Sequence, residues 1–85
     1  MIYRVDIAPR AQRQIDRLQP RLRERALHAI HGLAIDPRPP GCRKLTGRDA
    51  RWRVRVGDYR VVYTIFDDSL LVEIVEVGPR DKVYR

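Results

Sequence analysis

The chain of 85 residues contains a single cysteine, Cys42. One thiol can form neither an intrachain disulfide nor a zinc site built from several cysteines. The fold must therefore be stabilised by its own apolar core, and a chain of this length buries somewhat over ~60% of the surface that it exposes when unfolded. We expect a single domain that spans residues 1–85.

Long apolar runs are also missing. No stretch approaches the ~18 residues of a membrane-spanning helix. The N-terminal sequence MIYRVDIAP is too short and too charged for a secretory signal peptide. Together with the scarcity of cysteine, these features predict a cytoplasmic protein that does not bind membranes.

Lysine is nearly absent, whereas arginine is abundant. Only Lys44 and Lys82 are lysines among 18 basic residues, which face 11 acidic residues and give a net charge of +7. Such an excess favours a polyanionic partner, either a nucleic acid or an acidic protein segment. The planar guanidinium group forms bidentate contacts with phosphate, so the preference for arginine favours phosphate.

The hydrophobic periodicity predicts an α+β fold. Residues 2–7 alternate as a half-buried strand does, and residues 11–33 follow helical spacing that is interrupted near Pro20. A loop rich in proline and glycine follows. The fold is then expected to be one strand, a two-helix hairpin and a three-stranded antiparallel meander, with the helices packed on one face of the sheet. The meander strands are predicted at residues 50–56, 59–66 and 70–77.

Arginine occupies alternate positions in the segment RWRVRVGDYRVVY (51–63). A two-residue turn at Gly57-Asp58 would place Arg55 directly opposite Arg60. Like charges in that position cost roughly 0.2 to 1 kcal/mol, a penalty that a bound anion would remove. The alternative is that the arginines only solvate an exposed face. We call this predicted surface the arginine face; its members are Arg51, Arg53, Arg55 and Arg60.

The last strand is expected to bring further groups to the arginine face. With a second turn of even length, Val77 lies opposite Arg60, and the chain leaves the sheet beside the arginines, so that Arg80 and Tyr84 converge on them. Glu73 and Glu76 then fall on opposite faces of the sheet. Tyr84 could equally pack the C-terminus on the sheet.

Other catalytic sets are weak. His28 and His31 lie on one flank of a predicted helix without a further metal ligand at suitable spacing, which is typical of solvated histidines. Separated carboxylates, such as Glu73 and Glu76, do not suit a two-metal nuclease. Metal-free cleavage of RNA remains possible, because the 2′-hydroxyl can attack the adjacent phosphate. Arginines would neutralise the developing charge, and no cofactor is expected.

Four motifs in this order and spacing resemble the RelE/ParE superfamily of bacterial and archaeal toxins. They are KLTG (44–47), RWRVRVGDYRVVY (51–63), VEVGPR (75–80) and the terminal VYR (83–85). The resemblance implies a toxin of a type II toxin–antitoxin pair, held inactive by a cognate antitoxin. In the RelE branch it further implies an endoribonuclease that cuts mRNA in the ribosomal A site.

The resemblance also implies roles for individual residues. Arg55, Arg60 and Arg80 would stabilise charge on the phosphorane, and Tyr84 would be the general base. Cations around a phenol lower its pKa from about 10 towards the working range. The residues expected to bind RNA are Lys44, Arg51 and Arg53.

Two other functions compete with the ribonuclease. One is a non-catalytic toxin of the ParE branch that inhibits DNA gyrase, and the other is an RNA-binding module without catalysis. A gyrase inhibitor has no need for a tyrosine beside arginines that point at a phosphate, so the combination of Arg80 and Tyr84 with the arginine face favours the enzyme.

Overall fold

The structure, a computed structural model, describes residues 2–45 and 50–79. The elements are β1 (Arg4–Ile7), α1 (Pro9–Asp16), α2 (Pro20–Gly32), β2 (Arg43–Lys44), β3 (Arg51–Val56), β4 (Tyr59–Phe66), a 3-10 turn (Asp67–Ser69) and β5 (Leu71–Pro79). The strands form one five-stranded sheet in the order β1-β5-β4-β3-β2. β1 runs parallel to β5, and the other neighbours are antiparallel.

Proline sets the start of both helices. Pro9 and Pro20 each occupy the first helical turn. There the missing N–H has no intrahelical acceptor to lose, and the fixed φ angle already suits a helix. The predicted break between the helices is therefore confirmed.

The core lies between the helices and one face of the sheet, as the alternation predicted. Burying one large aliphatic side chain contributes roughly 1.5 to 3 kcal/mol, so this layer supplies most of the stability. Among the described residues, no helix is both long and apolar enough to cross a membrane. The core consists of Ala11, Ile15, Leu18, Ala26, Ile30, Leu33, Val56, Val61, Tyr63, Ile65, Val72, Ile74 and Val77.

The sheet has more strands than the predicted meander. β1 joins it by parallel pairing with β5, in the register Arg4–Leu71 to Ile7–Ile74. β2 is an addition of two residues at the opposite edge, paired with Trp52 and Arg53. β2 has only two residues, too few for an alternating pattern to predict it. The parallel pairing of β1 with β5 joins distant segments of the chain, so local patterns do not predict it. The α+β class is confirmed, with a five-stranded sheet.

A β-bulge in β5 corrects the expected register of the last strand. Pairing steps from Ile74–Tyr63 to Glu76–Val62, so one additional residue, Val75, interrupts the alternation. Such an insertion moves every later side chain to the other face. Val77, which was expected opposite Arg60, therefore lies opposite Val61. Gly78 lies opposite Arg60 instead.

The same bulge overturns the expected separation of two carboxylates. Glu73 pairs with Thr64 and Glu76 pairs with Val62. Thr64 and Val62 are on the same face of β4, two residues apart, so the register puts both glutamates on one face of the sheet. The prediction that they lie on opposite faces is wrong, because it assumed an uninterrupted strand.

Gln14 satisfies the edge of β5 where β1 has already ended. The Val77 N–H donates a hydrogen bond of 2.7 Å to the Gln14 Oε1 atom of α1. A backbone donor at a partly buried sheet edge needs an acceptor, since leaving it unpaired costs about 1 to 3 kcal/mol. The side chain of α1 thus replaces a strand at this position.

We expect the Gln14→Met substitution to lower the free energy of unfolding by about 1 to 3 kcal/mol. Methionine keeps most of the side-chain volume but cannot accept the Val77 N–H bond well. Urea denaturation followed by circular dichroism measures the change. Gln12→Met is the control, because Gln12 is exposed and bonds only Asp16 on the helix surface in the described structure. Equal stabilities of the two variants would contradict a structural role for the Gln14 bond.

Candidate nucleic-acid interface

The β3–β4 hairpin has the register that the turn residues predicted. Gly57 adopts a φ angle of +60°, which non-glycine residues rarely tolerate, and allows the tight turn. Val56 pairs with Tyr59, and Arg55 pairs with Arg60. The two guanidinium side chains therefore start from adjacent positions on one face of the sheet.

The centre of the arginine face is buried rather than open. Arg53 is 6% exposed and Arg60 is 5% exposed, and Val62, which pairs with Arg53, is 2% exposed. The alternation placed these residues on the correct face, but the expectation of a solvent-exposed face is wrong there. Long arginine stems bury apolar surface against their neighbours, which a count of charges does not reveal.

The loop before β2 contributes to this burial. The Arg53 Nη1 atom donates a 3.5 Å hydrogen bond to the carbonyl of Gly41. Arg53 also lies between Arg43 of β2 and Val62 of β4 in the sheet register. Arg43 therefore extends the arginine face by one strand.

The Arg60 guanidinium is the most unusual group on this face. Its Nε and Nη1 atoms are buried, and neither has a hydrogen-bond partner within residues 2–45 and 50–79. Arg55 flanks it on β3, and Gly78, which has no side chain, flanks it on β5. A buried cation with unpaired donors is strongly unfavourable unless an anion or other acceptor binds it. The arrangement suits a phosphate oxygen.

The nearest acidic strand residue does not neutralise Arg60. Glu76 follows the bulge on the same face, and its Oε2 atom lies 3.9 Å from the Nη2 atom of Arg10 in α1. Arg60 forms no ion pair within 4.0 Å in the described part of the chain. Within residues 2–45 and 50–79, no carboxylate thus neutralises the positive charge of Arg60 at the centre of the face.

The predicted site residues are only partly brought together. Arg51 pairs with Thr64 and lies on the arginine face, two residues from Arg53. Lys44 pairs with Trp52, a residue of the helix-facing side, so the register separates Lys44 from the arginine face. Its assignment to RNA binding stays a prediction without support from this geometry. Arg80 and Tyr84 lie outside the described residues.

Arg43 is the residue that sequence reasoning missed. It precedes Lys44 in a segment dominated by proline and glycine, and the segment reads as a loop. Two residues are too few for an alternating pattern to predict a strand. The pairing of β2 with β3 is what places Arg43 on the arginine face.

A second network fixes the loop that holds Arg53. Arg38 forms two hydrogen bonds with the Asp67 carboxylate, of 3.3 and 3.0 Å, and its guanidinium carbon lies 5.1 Å from the centroid of the Trp52 ring. The Tyr3 hydroxyl donates a 2.7 Å hydrogen bond to Asp67. These contacts join the residue before β1, the loop and the 3-10 turn.

Tyr63 anchors the same loop from within the core. Its hydroxyl donates a 2.8 Å hydrogen bond to the carbonyl of Pro37. Burial raises the pKa of Tyr63, so the phenol remains a neutral donor at physiological pH. The Tyr63 hydrogen bond therefore helps to hold the loop whose Gly41 carbonyl accepts the hydrogen bond from Arg53.

The histidines and carboxylates form no cluster in the described structure. His28 and His31 are exposed positions of α2. Within residues 2–45 and 50–79, no group of three or more His, Cys, Asp and Glu side chains is arranged to hold a metal ion. The chemistry that the described surface offers is the binding of anions by guanidinium groups.

Comparisons with known proteins identify similar chains. Residues 5–84 match the family model described as the ParE toxin of the type II toxin–antitoxin system parDE. A protein of Methanocaldococcus jannaschii that carries the name toxin RelE1 is 27% identical over 88 residues, which cover 100% of this chain and 98% of that protein.

Solved structures show the same similarity. The archaeal RelE–RelB complex from Pyrococcus horikoshii contains a chain that is 30% identical, with a TM-score of 0.85 over 96% of this chain and 99% of that chain. The intact RelBE toxin–antitoxin complex of E. coli contains a chain that is 25% identical, with a TM-score of 0.80 over 93% of this chain and 98% of that chain.

We expect replacement of the buried cation to stabilise the protein. Arg60→Met should raise the free energy of unfolding by about 1 to 3 kcal/mol, because it removes unpaired buried donors and keeps an apolar stem. Arg55→Gln should leave it unchanged or raise it by no more than ~1 kcal/mol, because it removes only a cross-strand repulsion. Thermal and urea denaturation provide both values.

Arg13→Gln on α1 is the matched control, since it lowers the net charge equally at an exposed helical position. A stability gain as large as that of Arg60→Met would assign the effect to overall charge. Loss of stability in Arg60→Met would show that the arginine holds the sheet together.

The Asp67 network should make stability depend on pH in the acid range. The hydrogen bonds from Arg38 and then from Tyr3 lower the pKa of Asp67. A lowered folded-state pKa gives stability that is fully present above the unfolded value of about 3.9 and is lost as the pH falls through the folded-state value. Urea denaturation between about pH 6 and pH 2 should therefore show Asp67→Asn losing less stability on acidification than the wild type. Asp68→Asn is the control, and identical pH profiles for all three proteins would contradict this role.

Proposed function

The chain belongs to the ParE toxin family of type II toxin–antitoxin systems, and within the RelE/ParE superfamily we propose that it is a ribosome-dependent endoribonuclease that cleaves mRNA without a metal ion. The observation that carries the proposal is the buried Arg60 guanidinium, of which two nitrogen atoms have no hydrogen-bond partner among the described residues. An inhibitor that acts only through surface contacts does not need a buried guanidinium with unpaired donors. An enzyme that stabilises a charged transition state at phosphorus does need such donors.

The proposed reaction begins at the RNA backbone. The 2′-hydroxyl attacks the adjacent phosphorus, a new P–O bond closes a cyclic phosphate, and the bond to the 5′-oxygen of the next nucleotide breaks. Tyr84 takes the proton of the 2′-hydroxyl, and the departing oxygen is protonated by water. Arg55, Arg60 and Arg80 stabilise the negative charge that builds up on the equatorial oxygens.

The surrounding arginines hold the strand in place. Arg53 is fixed by the Gly41 carbonyl and lies two residues from Arg55. Arg43 and Arg51 continue the positive surface on either side, where they meet flanking phosphates. Arginine suits this binding because one guanidinium group can form two parallel hydrogen bonds with a phosphate.

The proposal includes the cellular setting. The protein acts as a single domain in the cytoplasm, binds mRNA on the ribosome, needs no cofactor and is inhibited by a cognate antitoxin. Two of the similar solved structures are complexes of RelE with RelB. An acidic antitoxin segment that folds on binding suits a toxin of charge +7.

A second candidate is a non-catalytic toxin that inhibits DNA gyrase. It is favoured by one finding, the match of residues 5–84 to the family model that is described as a ParE toxin. The two candidates differ in their target and in whether mRNA is cut, so one set of assays separates them.

We expect primer extension on translating ribosomes to show cuts in phase with codons for the wild type. Arg60→Met should lose cleavage by about 10²- to 10³-fold, as removal of one charge-stabilising donor typically does, although its fold is more stable. Arg80→Ala should show a loss of the same size. Because stability and activity change in opposite directions in Arg60→Met, unfolding cannot explain its inactivity.

Arg4→Gln is the control for this assay. Arg4 lies on β1, at the far edge of the sheet, where it pairs with Asp6 at 3.3 Å. Cleavage by Arg60→Met and Arg80→Ala at the level of Arg4→Gln would remove the catalytic role of the cluster. Intact message together with inhibited DNA supercoiling would favour gyrase as the target, and an effect on neither would leave RNA binding alone.

A further inference from the structure

A second basic cleft lies between α2 and the β3–β4 hairpin. Its volume is about 550 Å³. It is larger than the cleft of about 350 Å³ beside the arginine face, which Pro40, Gly41 and Arg43 line together with Arg53, Val54 and Arg55. The larger cleft is lined by Glu24, Arg25, His28, Ala29, Arg55 and Val56.

The described part of the chain does not neutralise the positive charge in this cleft. Arg25 and Arg55 are exposed, and neither forms a hydrogen bond or an ion pair with another side chain in the described structure. Glu24 is the single acidic group among the lining residues. Two free guanidinium groups thus outnumber one carboxylate around a space that is open to solvent.

The hairpin turn makes room for Arg25. Gly57 has no side chain, and an added Cβ atom would lie 3.4 Å from the Arg25 Nη1 atom. The positive φ angle of Gly57 already favours glycine at this position. The turn therefore lets the guanidinium of α2 approach the hairpin closely at the mouth of the cleft.

Arg55 connects this cleft with the arginine face. Arg55 is a lining residue of both clefts, and its backbone pairs directly with that of Arg60. A polyanion bound at Arg60 therefore needs to pass only one residue of β3 to reach Arg25. The basic surface continues without an intervening acidic side chain along β3, whose sequence is Arg-Trp-Arg-Val-Arg-Val.

We propose that the cleft between α2 and the hairpin binds a backbone phosphate of the same RNA strand, next to the phosphate held at Arg60. This rests on the proposed function, because it extends the path of the substrate. Arg25 and Arg55 hold the phosphate, and His28 lines the wall of the cleft beside it. Glu24 opposes the binding and limits it to a moderate affinity.

The test is fluorescence anisotropy of the full-length protein with 2′-O-methyl RNA, which cannot undergo the attack of the 2′-hydroxyl. A dinucleotide has a single phosphate and fills only the site at Arg60, whereas an oligonucleotide of about eight nucleotides also reaches the cleft. Arg25→Gln should weaken binding of the long oligonucleotide by roughly three- to tenfold and leave the short one unchanged. The slope of log K against log salt should become shallower by about 0.7, the value for one phosphate contact on a single strand.

Two further variants test whether the effect depends on the charge in the cleft. Glu24→Gln should strengthen binding of the long oligonucleotide, because it removes the opposing carboxylate. Arg13→Gln changes an exposed residue of α1 outside the cleft. It should weaken the binding of both oligonucleotides slightly and equally. The proposal is overturned if Arg25→Gln behaves like Arg13→Gln, or if it weakens only the complex with the antitoxin, which would assign the cleft to a protein partner.

Arg60→Met separates this proposal from the function on which it rests. Weaker binding of both oligonucleotides by Arg60→Met, with no specific effect of Arg25→Gln, would leave the arginine face as an RNA site and overturn the cleft alone. If Arg60→Met changes neither affinity, the arginine face does not bind RNA and both proposals fail.

Discussion

The pairing of β3 with β4 is the constraint on which the rest of the structure depends. The glycine turn at Gly57 sets Val56 opposite Tyr59 and Arg55 opposite Arg60. Because strand side chains alternate, this single register directs the apolar residues of both strands towards the helices and the arginines away from them. A shift by one residue would put guanidinium groups into the core. Core formation therefore enforces the concentration of positive charge on the other face.

That concentration has a cost in stability. Arg60 is buried, two of its donor atoms have no partner in the part of the chain that the structure describes, and it lies beside Arg55. Neither feature helps the isolated protein to fold. A small domain has only about 5 to 15 kcal/mol of net stability, so such a cost is a substantial share of it. Retaining it makes physical sense when a negatively charged partner binds at this face, because the partner then supplies the missing acceptors and the charge.

The supporting elements explain how the face is kept in shape. Gln14 closes the edge of β5, and the network of Arg38, Asp67 and Tyr3 holds the loop that binds Arg53. Each is a side chain that completes a backbone or fixes a loop far from its own position in the sequence. In the proposed reaction, arginines held in place in this way would stabilise the developing charge without rearrangement.

Local patterns in the sequence determined the helices, the three long strands, the hairpin turn and the face on which Arg53, Arg55 and Arg60 lie. Each depends on residues close together in the chain: Pro20 between two helical periods, alternation along β3, and Gly57 at the turn. Only the tertiary structure decided that β1 pairs with β5, that Val75 forms a bulge, that Arg43 joins the arginine face and Lys44 does not, and that Arg60 is buried. These features arise from contacts between distant segments, and a bulge of one residue reverses the alternation on which the reading of a strand relies.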